Sequence, residues 1–167
     1  MAVTLRPATS DDRDAIVAVF LACWRESYVG VLPAAAIEAM TDDRAQALWR
    51  RVLLSTEGTV LVAEHDGLVQ GVARFAPGQE GRGGAVHSLY VSPDARGLGL
   101  GTRLLDAAFE SLSAGGADSV ALWVFAANAP SIAFYRGRGW LPDGGMRTQA
   151  EFGEPELRLR RGGRGPA

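Results

Sequence analysis

The stretch from Ser88 to Leu105 constrains what this chain can fold into more than any other. A strand-like run ends at Val91, Pro93 marks a turn, and Gly97, Gly99 and Gly101 alternate with other residues at the start of an amphipathic run. A strand must therefore hand over to a helix through a glycine-rich turn. Glycine lets the main chain approach a ligand closely, and a helix start presents unpaired N–H groups at the positive end of its dipole. The segment reads as a backbone cradle for a phosphate or pyrophosphate; the alternative is a tight turn that binds nothing. Spacing excludes two other phosphate loops. A dinucleotide fingerprint needs a third glycine where Thr102 or Leu104 stands, and a P-loop needs a Lys followed by Ser or Thr, which is missing here.

Arg96, Gly99 and Gly101 fit the pattern R/Q-x-x-G-x-G/A, and a second motif follows about thirty residues later. There a strand-like run leads into Asn128, Ser131, Phe134, Tyr135, Gly139 and Trp140, matching N-x-x-(A/S)-x-x-F-Y-x-x-x-G-(F/W). Upstream, Arg6 to Ala8, Trp24 to Tyr28, Leu32 with Pro33, and Val60 to Glu64 continue the likeness. With both motifs in order, the chain resembles the GNAT N-acetyltransferase superfamily over nearly its whole length.

The resemblance implies an α/β fold, a mixed central sheet of about seven strands with helices on both faces. It also implies acetyl-CoA as donor, with direct transfer of the acetyl group to a primary amine of a small molecule or protein. The amides of Gly97, Leu98, Gly99, Leu100, Gly101 and Thr102 would hold the pyrophosphate, with Arg96 adding positive charge. The backbone of Leu89, Tyr90 and Val91 would pair with the pantetheine arm, and the Val91 amide would face the thioester oxygen. Asn128, Ser131, Phe134 and Tyr135 would line the cofactor wall, with Tyr135 as general acid; Phe134 and Tyr135 could instead be core aromatics. Where the family often carries a glutamate, this chain has His87, counted by alternation onto the face of Leu89 and Val91. It is either the general base, directly or through water, or a core histidine. Glu26 and Glu80 are weaker candidates. Trp24 and Tyr28 would roof the acceptor cleft and the last hairpin, around Met146 to Phe152, would wall it, unless these residues only pack. A non-catalytic acyl-CoA sensor or partner-binding module on the same fold is the competing reading.

The rest of the sequence is compatible with one domain over residues 1–161 and a disordered tail over 162–167. A chain of 167 residues is long enough for a full core. A net charge of −2 gives no basic footprint for nucleic acid or an anionic membrane. No apolar run is long enough to span a bilayer, and the first residues lack a signal-peptide core, so a cytoplasmic location is expected, as monomer or homodimer. Cys23 is the sole cysteine, which rules out an internal disulfide, and no metal site is expected. Periodicity gives a strand at 2–6, a helix capped by Ser10, Asp11 or Asp12, a helix from Pro33 to Met40 and another through Ala45 to Leu53. Strands at 59–64 and 68–75 join at Asp66 and Gly67, and the central strand follows at 85–92. A helix ending at Gly115, a strand at 118–126, a helix at 129–138 and closing strands near 140–148 and 154–161 complete the order.

Overall fold

The computed structural model describes residues 2–78 and 83–162. Strand β1 (Val3–Pro7) leads through a short 3-10 turn into α1 (Arg13–Ala22), which continues as a π-helical turn, Cys23–Ser27. Helices α2 (Ala34–Ala39) and α3 (Asp42–Leu54) precede β2 (Thr59–His65), β3 (Leu68–Pro77) and β4 (Gly84–Val91). Then come α4 (Leu100–Ala114), β5 (Ser119–Phe125), α5 (Ala129–Arg136), β6 (Leu141–Thr148) and β7 (Pro155–Gly162). Together they make a seven-stranded mixed sheet with helices, as the sequence implied. Gly162 pairs with Ser119 inside β7, so the expected tail does not begin there; residues 163–167 lie outside the described residues, as does Glu80.

Local chemistry explains the elements. Asp66 and Gly67 both take left-handed backbone angles, φ 54° and 77°, the conformation whose twist suits a two-residue hairpin loop. Ahead of α1 the capping residue is Asp12: its carboxylate accepts the Thr9 backbone N–H at 2.7 Å and both terminal nitrogens of Arg6 at 2.8 Å. The Arg6 guanidinium, burial notwithstanding, holds that carboxyl at about 2. Arg6 also reaches Glu64 on β2 at 2.7 Å, tying the first helix to the sheet edge.

The sheet separates two apolar layers. On one face Ile16 and Phe20 of α1, Trp24 of the π-helical turn and Trp49 of α3 pack on Val62 and Val72. On the other, Leu105, Ala108 and Phe109 of α4 pack on Phe75, Val86, Val120, Trp140 and Leu159. Each such large buried side chain contributes roughly 1.5–3 kcal/mol, so both faces hold their helices firmly.

Strand order is β1-β2-β3-β4-β5-β7-β6, with β4 and β5 parallel and the other named pairs antiparallel. The parallel pairing is short. It runs from Gly84↔Val120 to Val86↔Leu122 and ends there. Beyond it, Leu89, Tyr90 and Val91 stay registered with Ala73, Val72 and Gly71 of β3 on one side and have no β5 partner on the other. The two strands thus part in mid-sheet, and the functional cleft lies in that opening.

Candidate active site

The cleft has a volume of about 1180 Å³ and runs from the start of α4, along β4, to the π-helical turn and the β6–β7 hairpin. Its first end is the glycine turn. Gly99 caps α4 with φ 77° and Gly97 has φ 81°; a Cβ on either would meet no heavy atom within 4 Å. The first helical bond runs from Arg103 N to Gly99 O at 3.1 Å, which leaves the amides of Leu100, Gly101 and Thr102 without intrahelical acceptors. No acidic side chain occupies this first turn. The cradle therefore fits an anionic group such as a pyrophosphate. Gly101 serves packing instead. A Cβ there would lie 3.3 Å from Phe134 Cζ and 3.6 Å from Val91 Cγ2, so its lack of a side chain lets α5 and β4 close on the helix.

Two arginines differ from expectation. Arg96 lines the cleft, yet its Nη2 donates to Ser27 Oγ at 2.7 Å, fixing its guanidinium at the π-helical turn. Arg138, which no sequence motif marks, stands beside the cradle instead. Its Nε donates to Thr102 Oγ1 at 2.8 Å, its Nη1 to Phe134 O at 2.8 Å, and its guanidinium lies 3.8 Å over the Phe134 ring. Leu98 is 44 % exposed and does not line the cleft, because the turn points its side chain to solvent.

Along β4 the main chain is laid out for a second extended ligand. Ser92 N donates to Gln70 O on the β3 side at 2.8 Å, so alternation turns the polar groups of Val91 and Leu89 away from β3 into the opening. Cys23 Sγ donates to Val91 O at 3.1 Å, and burial pushes this thiol up to about 11. Alternation fails one step earlier. Arg74 pairs with Ser88 but Phe75 with Val86, so His87 is an inserted bulge residue and its face cannot be counted from Leu89. It is exposed rather than a core histidine. Desolvation by the cleft walls, and then Arg74 and Arg147, hold its imidazole below the ordinary 6.5.

The chain has three tyrosines, and all three line the cleft close enough to influence one another's titration. Burial keeps Tyr28 neutral, helped by its contact with the Tyr90 hydroxyl, and burial carries Tyr90 up to about 12. Burial, then Tyr90, raises Tyr135 further. A phenol kept protonated next to an open strand edge does not act as a base; it can hydrogen-bond to a departing sulfur, although burial makes it a weaker acid than an ordinary phenol. Asn128 caps α5, its Oδ1 accepting Ser131 N at 3.3 Å, and Asn128, Ser131, Phe134 and Tyr135 all line one wall.

The far end is aromatic and ionic. Trp24 and Tyr28 do line the cleft, and they join Phe125 and Phe152 in a ring of contacts with centroids 5.3–5.8 Å apart. Glu156, 5 % exposed, accepts Arg147 Nε at 2.7 Å and Gln149 Nε2 at 2.9 Å on Oε2. Arg147 also lies 4.4 Å over the Trp123 ring. Arg147, Gln149 and Phe152 fall in the hairpin segment that the resemblance placed at the acceptor cleft, whereas Trp123, Phe125 and Glu156 carry no sequence signal that marks them as site residues. Glu26 lines the cleft from the π-helical turn and is exposed. Among the described residues no group of three His, Cys, Asp or Glu could hold a metal ion.

Comparison with known proteins agrees with this layout. The model of the acetyltransferase (GNAT) family matches residues 16–140. The N-acetyltransferase YuaI of Bacillus subtilis, itself uncharacterised, is 30% identical over 137 residues, covering 80% of this chain and 78% of its own. An L-methionine sulfoximine/L-methionine sulfone acetyltransferase of Pseudomonas aeruginosa is 30% identical over 156 residues, 87% of this chain and 84% of its own. In fold, the PaiA N-acetyltransferase of Thermoplasma acidophilum, solved in complex with coenzyme A, superposes with a TM-score of 0.78 at 17% identity, covering 97% of this chain and 99% of its own. The mixed sheet parted between two parallel strands, with a glycine-capped helix at the parting, is thus shared in overall fold with acetyltransferases. The chain belongs to the GNAT acetyltransferase family.

Proposed function

We propose that this protein is an N-acetyltransferase that uses acetyl-CoA and passes the acetyl group directly to a primary amine of a small molecule or protein. The observation that carries the reading is the open edge of β4 at Leu89–Val91, which lies between a phosphate-ready helix start and a half-buried, protonated Tyr135. Acetyl-CoA supplies the activated acyl group as a thioester. Gly97 to Thr102 and Arg138 hold its pyrophosphate, Leu89 to Val91 pair with its pantetheine arm, and Asn128, Ser131 and Phe134 close the wall. Val91 N–H supports the developing oxyanion.

In the transfer, the amine nitrogen bonds to the acetyl carbon and the carbon–sulfur bond breaks. His87, neutral at pH 7, takes the proton the amine loses, directly or through a water. Tyr135 gives its proton to the departing sulfur and is reprotonated from solvent. Trp24 and Tyr28 confine the acceptor. A cytoplasmic protein of a single domain that runs through Gly162, without nucleic-acid or membrane partners, is the setting that fits; among the described residues no helix is long and apolar enough to cross a membrane.

The test is calorimetric titration with acetyl-CoA followed by thiol release over a panel of amines. Amine-dependent release supports the enzyme. Tight binding without release across the panel would favour an acyl-CoA sensor on the same fold. One relative is named for L-methionine sulfoximine and L-methionine sulfone and another, from Azospirillum brasilense, for IAA, so the cleft of this chain decides its own acceptor.

A further inference from the structure

Arg147 is arranged unlike a surface arginine. Its Nε is committed to the buried Glu156, and its plane is held over Trp123, so the guanidinium has little freedom left. Its Nη1 and Nη2 have no partner among the described residues, while the side chain stays 41% exposed in the cleft. Two terminal nitrogens held in a plane and facing an open cavity match the two oxygens of a carboxylate. Gln149 shares Glu156 Oε2 and thereby fixes the pair from the same hairpin.

The surrounding charges point the same way. Among the described residues the carboxylates lining the cleft are Glu26, which is exposed, and Glu156, which Arg147 and Gln149 already satisfy. A polyamine would find few anions here to pair with its charges. Arg74, opposite Ser88 on β3, adds positive charge close to His87. The neighbouring Trp24, Tyr28, Phe125 and Phe152 supply an apolar box of modest size.

We propose that the acceptor is an amino acid, a small amine that also carries a carboxylate, and that Arg147 reads the carboxylate with its terminal nitrogens. This rests on the transferase reading and adds the class of acceptor to it. Glu156 is then a positioning residue: it aims the guanidinium and does not touch the reacting atoms.

The experiment compares matched pairs in which only the carboxylate differs: leucine against isopentylamine, phenylalanine against phenethylamine, methionine against 3-(methylthio)propylamine. Thiol release should favour the amino acids by about 10- to 100-fold in kcat/KM, the range of a charge-assisted hydrogen-bonded contact. Arg147→Met should level each pair, chiefly through KM, and leave the acetyl-CoA Kd unchanged; Arg147→Lys should recover part of the preference. Binding of the same pairs to the wild-type protein saturated with CoA, read by ligand-observed NMR, needs no variant and no turnover. Equal or better binding and turnover of the decarboxylated amines would overturn the inference. A carboxylate preference in binding with no thiol release would keep it and overturn the transferase reading instead.

Discussion

Gly99→Ala separates what the glycine turn does for the fold from what it does for the ligand. Gly99 has φ 77°, in the left-handed region, where an L side chain costs roughly 1–2 kcal/mol. For a chain of this size that should lower Tm by about 2–8 °C. The new Cβ would meet no heavy atom within 4 Å, so nothing in the protein is pushed; the methyl group stands in the space where a phosphate would approach the α4 amides. We therefore expect the CoA Kd to rise at least about tenfold, equivalent to ~1.4 kcal/mol. The control is Gly116→Ala. Gly116 has φ 103° and equally empty surroundings, but it follows the far end of the same helix, about 22 Å along a run of fifteen residues. Its Tm should fall similarly while the CoA Kd stays put. Calorimetry and thermal unfolding on both variants decide the matter. If Gly99→Ala binds CoA as tightly as wild type, or if both variants weaken it alike, the cradle is not where the anion sits.

Tyr135→Phe should lower kcat by roughly 10- to 1,000-fold with CoA affinity nearly unchanged, as expected for a lost general acid; full turnover would reduce the residue to packing. For His87, whose folded pKa lies below 6.5, kcat/KM should rise with pH through an inflection under that value. His87→Ala should erase the inflection and, because the side chain is exposed, barely move Tm; an inflection that survives removes His87 from the mechanism. Asp12 has the opposite chemistry and a structural role. Its carboxyl is lowered from 3.8 to about 2, so its contribution is present above pH 4 and is lost as pH falls toward 2. Asp12→Asn should cost on the order of 1–2 kcal/mol near pH 7 and flatten the acid limb of stability between pH 4 and 2; an unchanged acid limb would mean that the Arg6 pair contributes nothing. Arg138→Ala, which removes a positive charge beside the cradle, should weaken CoA more at low salt than at high salt; equal weakening at both would assign Arg138 to holding α5 on Thr102.

Elements governed by short-range rules could be read directly. The glycine turn, the Asp66–Gly67 hairpin and the amphipathic helices each follow from residues within a few positions of one another, and the structure places them close to expectation, the largest offset being the start of α3 at Asp42 rather than Ala45. The insertion of β7 between β5 and β6 could not, since nothing in a strand's own sequence names its neighbours. Registry hid the face of His87: the bulge depends on how β3 and β4 align, and one unpaired residue undoes any count of alternation along β4 alone. The arginines illustrate the same limit from the side-chain end. Arg96 lies inside a recognisable motif that implies a charge for the ligand, but its reach is taken up by Ser27, sixty-nine residues away. Arg138 and Arg147 belong to no motif that marks a charge. Their placement comes from contacts formed only once α5 meets α4, and once β6 and β7 close over Trp123. The shared chemistry of the donor site is thus written locally in the backbone turn, whereas the means of choosing an acceptor is assembled by tertiary packing at the far end. Acceptor choice can then change through a few side chains of the last hairpin, with the donor cradle left intact.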